Sequence, residues 1–359
     1  MNSQVTDTYA EADRARLRHH GDVDAEAGLL DFAVNVRGTS PPDWLRDRLI
    51  GALDELGRYP SGELDGAARD AVALRHGRDP GEVLVLAGAA EGFALLPNLR
   101  PRLAAVVHPG FTEPEVALRD AGVPVHRVQL APQDGYALDA GLVPDEADLV
   151  VIGNPTNPTS VLHPSAELRR MVRPGRTVVL DEAFADAGPG EPESLAGTAV
   201  PGVLVLRSLT KTWALAGLRA GYALGEPAVL RELAQRRPQW PVSSLALEAV
   251  RACSEPHAVE EARLAAQNFR GYADEQAAAL AAIPGVEVQL PAAAPFLLLR
   301  VPDGPGVRQS LRQQGIAVRR ADTFPGLTED HIRVAVRRPQ TAAALVRAMR
   351  VALNEEDGR

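Results

Sequence analysis

Six short runs of almost uninterrupted apolar residues recur through the first two thirds of the chain. They are VLVLA at 83–87, AAVVH at 104–108, VPVHRVQL at 123–130, LVVIG at 149–153, RTVVLDE at 176–182 and VLVLRS at 203–208, each followed by a turn and a helical stretch. A strand that is apolar on both faces is buried on both faces, as in a parallel sheet covered by helices. The pattern predicts an α/β domain over residues 41–238, with its ligand site at the carboxyl ends of the strands. After Pro238 the texture changes. An alanine-rich stretch, SSLALEAVRACSEPHAVEEARLAAQNFRGYADEQAAALAAI, reads as a long helical region that ends at Pro284 and Gly285. Three strand-like runs follow, VEVQL, FLLLRV from Phe296 and HIRVAV from His331, and then an amphipathic helix from about Pro339 to Asn354. Residues 239–359 therefore read as a connecting helix with a small α+β domain. Residues 1–40, which include RHHGDV and LLDFAVNVRG, show no strong period and read as an extended arm.

Composition narrows the classes. A chain of 359 residues exceeds what one hydrophobic core usually organises, and 45% hydrophobic content supports real cores. A formal net charge of −9 argues against a nucleic-acid partner, which calls for a basic surface. The single cysteine, Cys253, has no internal partner for a disulfide, as expected in a reducing compartment. The first twenty residues are charged, without the apolar centre of a secretory signal. No run approaches the ~18 apolar residues of a membrane span. The expectation is a soluble cytoplasmic protein with no membrane or metal partner.

Candidate chemistry starts from Lys211. It is the only lysine, the other 37 of the 38 basic Lys and Arg residues being arginine. Either side chain serves as a solvated charge, but only a desolvated amine can lose its proton and condense with an aldehyde. Lys211 lies in SLTKTWALAGLRAGYALG, just past the strand run VLVLRS, with Ser208 and Thr210 before it and Arg219 after it. Asp181 ends the run RTVVLD, where a carboxylate also commonly caps a turn. Asn154 and Asn157 sit in the proline-stiffened loop after LVVIG. The turn Gly88-Ala89-Ala90-Glu91 opens a helix whose first amides suit a phosphate. An amine, a carboxylate, an amide donor and a phosphate cup are what pyridoxal 5′-phosphate requires.

On these motifs the chain resembles the fold type I pyridoxal-phosphate enzymes of the aminotransferase class I/II family, over nearly its whole length. NPTNPTS, DEAF, SLTKTWALAGLRAGY and HIRVAVR occur in the family's order and approximate spacing. The resemblance implies the aspartate aminotransferase-like fold, with a large, mostly parallel-sheet domain and a small α+β domain, and a homodimer with active sites at the interface. It implies that Lys211 takes the cofactor aldehyde, Asp181 pairs with the pyridinium and Asn157 binds the ring hydroxyl. Ser208, Arg219 and the amides at Ala89 and Ala90 would hold the phosphate, Phe111 would stack on the ring, and Tyr59 would reach the neighbouring subunit's cofactor phosphate. Arg333 matches the arginine that grips a substrate carboxylate. His20, Asn35, Arg319 and Arg337 are further candidates for the substrate.

The chain departs from the family in places. Phe184 stands where many members carry a tyrosine that donates to the ring oxygen, and Pro114 replaces an aromatic. HHGDV, DFAVNVRG, DEAF and PQWPVSSLALEA look more like the threonine-phosphate decarboxylases of cobalamin biosynthesis than like the histidinol-phosphate aminotransferases. Against this, NVRG replaces the decarboxylases' Asn-Pro pair, and Ser243 replaces an asparagine. The first expectation is decarboxylation of L-threonine O-3-phosphate. The alternative is a histidinol-phosphate-type aminotransferase using 2-oxoglutarate, and a remote one is a non-catalytic pyridoxal-phosphate-binding regulator.

Overall fold

The structure, a computed structural model, describes residues 11–354. Residues 1–10, half of the stretch read for a secretory signal, lie outside the described residues.

All six apolar runs form strands of one sheet. Across that sheet the order is Val83–Leu86, Gly221–Leu224, Val203–Ser208, Thr177–Asp181, Leu149–Gly153, Ala104–His108 and Val125–Gln129. Every pairing is parallel except those of Gly221–Leu224, which runs antiparallel to both its neighbours. Alternate residues feed two cores, one on each face. Val203, Val205 and Leu180 belong to one, and Leu204, Leu206 and Val179 to the other. This period of two, with both faces apolar, is why the runs carry few polar residues.

The seventh strand is not foreseen in the sequence. GYAL is short, and its partners lie far away in the chain, so nothing local marks it. Its first residue is glycine for a spatial reason: a Cβ on Gly221 would lie 2.6 Å from the Arg207 carbonyl oxygen and 2.9 Å from the Ala89 nitrogen. The strand therefore presses the turn at Gly88 and Ala89 against the end of Val203–Ser208.

The alanine-rich region is two helices, Ser244–Ser254 and Pro256–Ala281. Pro256 lacks an N–H and drives Glu255 to an extended conformation, φ −68° and ψ 149°, which breaks the run. Ser243 caps the first helix by accepting from the Ala246 N–H. That helix packs into the core of the large sheet through Leu247, Val250 and Cys253, so apolar contact crosses residue 238. The two cores part within the second helix, where Ala262 belongs to the first and Ala273 to the other.

The small domain is a four-stranded antiparallel sheet in the order Arg319–Arg320, His331–Ala335, Phe296–Arg300 and Glu287–Val288. Helices Gly304–Gln313 and Pro339–Asn354 pack together over it, the first of them unforeseen.

The arm differs from the extended chain expected. It forms helices Glu11–Leu17 and Gly21–Asp24, and its Leu30–Asp31 pairs with Ile316–Ala317 of the small domain. Contacts remote in sequence fix it: Arg14 reaches Asp120 with two hydrogen bonds, and the Thr112 hydroxyl donates to the Leu17 carbonyl. Among the described residues no helix is long and apolar enough to cross a membrane.

Candidate active site

Because five strands of the large sheet run in parallel and the edge strand Val83–Leu86 points the same way, their carboxyl ends gather along one edge. Above that edge, closed by the arm and the small domain, is a cavity of about 530 Å³. Asp181 and Ser208 reach it as the last residues of their strands, Ala89 opens the helix that follows its strand, and Phe111 and Asn157 arrive on the loops that follow theirs. Lys211 enters three residues beyond Ser208.

The electrostatics suit an amine that must lose its proton. Burial, with Arg333 and Arg219 nearby, lowers the Lys211 pKa to about 8, although Asp181 and Asp22 pull the other way. Asp181 is pushed up to about 6, mainly by burial, while the Ala183 N–H it accepts at 3.1 Å and the Lys211 charge favour its ionised form. Each group thus sits nearer neutrality than it would in water.

Arg333 is a deeply buried cation of the cavity wall, only 5% exposed. Its Nη1 donates to Asn157 Oδ1 at 2.7 Å and its Nη2 to the Ala33 carbonyl at 2.5 Å, while its Nε has no partner among the described residues. Burial, then repulsion from Arg319, lowers its pKa to about 9. Gly21 allows the arm to come this close, since a Cβ there would meet the Ala33 carbonyl oxygen at 2.5 Å and the Arg333 guanidinium at 3.3 Å.

A second cationic corner forms where Gly88 meets Arg219. Gly88 has φ +80°, and a Cβ on it would lie 2.8 Å from Arg219 Nη2, so the turn needs glycine twice over. The Arg219 Nη1 donates to the Ala216 carbonyl, and the Ser208 and Thr210 hydroxyls are 2.7 Å apart beside it. With the first amides of helix Ala89–Leu95 these groups form a cradle of donors. Phe111 supplies an aromatic face, flanked by Phe93 at 5.8 Å and His20 at 5.5 Å between ring centroids. An amine, a carboxylate, an amide, an aromatic ring and an anion cradle in one cavity fit pyridoxal phosphate.

The two asparagines of the proline loop divide their labour. Asn154 exchanges hydrogen bonds with the backbone of His163 and holds the loop, which leaves Asn157 to face the cavity. Phe184 lies edge-on to Phe296 at 5.0 Å in a small apolar cluster with Ala183 and Ala294. Pro114 is buried in the first turn of helix Glu113–Asp120. A tyrosine at position 184 would add a donor to this wall. The pH titration of cofactor absorbance is therefore expected to shift by roughly half a pH unit or more in Phe184→Tyr. Identical curves for the two proteins would show that position 184 does not touch the chromophore.

The expected substrate contacts separate. His20 lines the cavity and its Nε2 is 2.6 Å from Glu113 Oε1. Asn35 also lines it, buried, with Oδ1 unpartnered among the described residues. Arg319 reaches the wall, yet four of its hydrogen bonds go to Asp24, the Arg320 and His19 carbonyls and Thr323. Arg337 requires a correction: it is not in the cavity, because its guanidinium donates to the carbonyls of Asp31, Val34 and Val36 and clamps the arm. Tyr59 is 74% exposed and stacks on Trp240 at 4.2 Å, outside its own chain's cavity.

Three polar residues of the cavity, Asp22, Glu113 and Thr210, were not singled out for the site by the sequence. Thr210 is next to the lysine, and Glu113 is two residues past Phe111, so adjacency offered a signal for both. Asp22 lies two residues past His20 in HHGDV, and the docking of the arm brings it in.

The model of a family described as aminotransferase class I and II matches residues 27–349. A Mycobacterium tuberculosis protein named histidinol-phosphate aminotransferase is 55% identical over 323 residues, covering 90% of this chain and 88% of that one. The threonine-phosphate decarboxylase of Salmonella typhimurium is 32% identical over 339 residues, covering 90% of each. The crystal structure of the histidinol-phosphate aminotransferase from Clostridium acetobutylicum superposes with a TM-score of 0.82 at 24% identity, over 91% of this chain and 100% of that one, a likeness of fold.

Proposed function

Because the chain belongs to the aminotransferase class I and II family and is a pyridoxal-phosphate enzyme, we propose that it moves an amino group from histidinol phosphate, or a close relative, to 2-oxoglutarate. The observation that carries this choice is the 55% identity to the relative of that name, against 32% to the decarboxylase. It reverses the order expected from the short motifs. The regulator reading is set aside with membership of a family of enzymes.

The geometry agrees with an anionic substrate. A buried guanidinium with no carboxylate in contact is costly unless an anion joins it. Arg333 offers a fork of donors that suits the phosphate of an amino-alcohol phosphate and the carboxylate of a 2-oxo acid alike. Histidinol phosphate carries no carboxylate on its amine-bearing carbon, so the bond left to break there is C–H. When bound, pyridoxal phosphate supplies an electron sink conjugated to that carbon. Lys211 Nζ, whose pKa is lowered to about 8, takes the proton from that carbon and later returns one to the acceptor. Asp181 would hold a proton on the pyridine nitrogen, Asn157 would face the ring hydroxyl, and the cradle at Ala89, Ala90, Ser208 and Arg219 would bind the phosphate.

We further read the enzyme as a cytoplasmic homodimer in which Tyr59, exposed and braced by Trp240, reaches the neighbouring subunit's cofactor phosphate. Tyr59→Phe should then weaken cofactor retention by roughly tenfold, one hydrogen bond to a charged group. Unchanged retention in a proven dimer would remove Tyr59 from the site.

The test of the reaction is the holoenzyme supplied with histidinol phosphate and 2-oxoglutarate, with glutamate measured. Glutamate formed at a steady rate supports the proposal. Carbon dioxide released from L-threonine O-3-phosphate, without glutamate formation from histidinol phosphate, would overturn it in favour of the decarboxylase. Arg333→Lys should raise KM for both substrates by roughly 10- to 100-fold, because a point charge does not replace a fork. An unchanged KM would place the anion elsewhere.

A further inference from the structure

The cavity is rich in cations, yet the proposed reaction begins with one more. Lys211, Arg219, Arg319 and Arg333 line it, against the carboxylates of Asp22, Glu113 and Asp181. The cations suit the phosphates of substrate and cofactor. An amino group arrives from water as an ammonium, meets repulsion from all four, and needs a carboxylate to offset it.

Two of the three carboxylates are engaged. Asp181 accepts the Ala183 N–H and is reserved for the ring nitrogen, and Glu113 Oε1 lies 2.6 Å from His20 Nε2. Asp22 is exposed, and its side chain has no hydrogen bond or ion pair among the described residues. The folded arm holds it in place. Asp24, two residues on, accepts from Arg319 Nη1 at 3.2 Å and lies 3.1 Å from His19 Nε2, while Gly21 lets the same turn press against the Ala33 carbonyl. Asp22 also attracts the Lys211 ammonium, so its charge acts where an amine must arrive to react.

We propose that Asp22 receives the ammonium group of the amino substrate and favours it over the 2-oxo acid. The assignment rests on the amino-group transfer proposed above and extends it. One cavity takes an ammonium phosphate in one half of the cycle and, in the other, a 2-oxo acid that carries two negative charges and no ammonium. Arg333 serves the anionic group of both. Asp22 finds a partner only in the amine and repels the 2-oxo acid. Because Asp22 stands on the arm, its charge can be removed without altering the strands that carry Asp181 and Ser208.

The experiment is a calorimetric titration of the holoenzyme with O-phosphoethanolamine and with ethyl phosphate, which differ only in the ammonium, in wild type, Asp22→Asn, Asp22→Glu and Glu113→Gln. Binding of O-phosphoethanolamine should weaken about fivefold in Asp22→Asn, the upper end for an exposed ion pair, and recover in Asp22→Glu. Ethyl phosphate should bind no more weakly in either Asp22 variant, and the gap between the two ligands should persist in Glu113→Gln. Equal weakening of both ligands in Asp22→Asn, or weakening of neither, overturns the proposal. So does loss of the gap in Glu113→Gln, which would place the ammonium there, and so does a wild type that binds the two ligands alike. Neither ligand is histidinol phosphate or 2-oxoglutarate, so this result stands whether or not glutamate forms in the turnover assay. Where glutamate does form, Asp22→Asn should raise KM for histidinol phosphate about fivefold and leave KM for 2-oxoglutarate no higher, and equal rises in the two would again overturn the proposal.

Discussion

Lys211→Ala should lower turnover by at least about 10⁴-fold, the largest effect expected of any single substitution here, because one amine both receives the cofactor and moves the proton. Lys211→Arg should do no better, although it keeps the charge: a guanidinium does not deprotonate near neutral pH. The comparison separates a role for the amine from a role for positive charge. Substantial activity in the arginine variant would refute the assignment. The pKa of about 8 adds a pH dependence. The neutral amine is the nucleophile, so the rate at which cofactor-free protein captures pyridoxal phosphate should rise with pH and level off above about 8. A rate that is flat from pH 6 to 9 would show that Lys211 is not the titrating group.

Asp181→Asn should separate stability from function. Burial raises the Asp181 pKa from 3.8 to about 6 in the cofactor-free protein. A carboxylate whose folded pKa is raised favours the protonated fold, so its contribution to stability is full at low pH and is lost as pH rises through about 4 to 6. Above that range the charge costs at most about 3 kcal/mol, less in proportion to its contact with cavity water. Asparagine carries no such charge. Cofactor-free Asp181→Asn should therefore melt higher than wild type at pH 7, and the gain should vanish below pH 4. With pyridoxal phosphate bound the sign reverses, since Asp181 then faces a protonated ring nitrogen. Holo Asp181→Asn should melt lower than holo wild type and turn over at least about 100-fold more slowly. A variant less stable in both forms would give Asp181 a purely structural role.

Much of this site was legible because its parts fall at the ends of apolar runs. Asp181 and Ser208 each terminate a strand whose pattern is unmistakable, and Lys211 stands out as the lone amine among arginines. Arg333 was reachable through its motif, but the hydrogen bond that joins it to Asn157, 176 positions away in the chain, was not. Arg337 was misplaced for a related reason. Two arginines four apart near one strand look alike in sequence, yet one reaches the cavity and the other is consumed by three arm carbonyls.

The sequence by itself determined the layered α/β core, the strand ends that bear the chemistry and the class of cofactor, because local apolar periodicity and the identity of single residues encode them. Tertiary structure alone decided the antiparallel strand Gly221–Leu224 and the folded arm that brings His20, Asp22 and Asn35 over the sheet. Each of these depends on contacts between segments far apart in the chain. Such contacts are selected by shape, hydrogen bonding and charge in three dimensions, and no pattern within one segment records them.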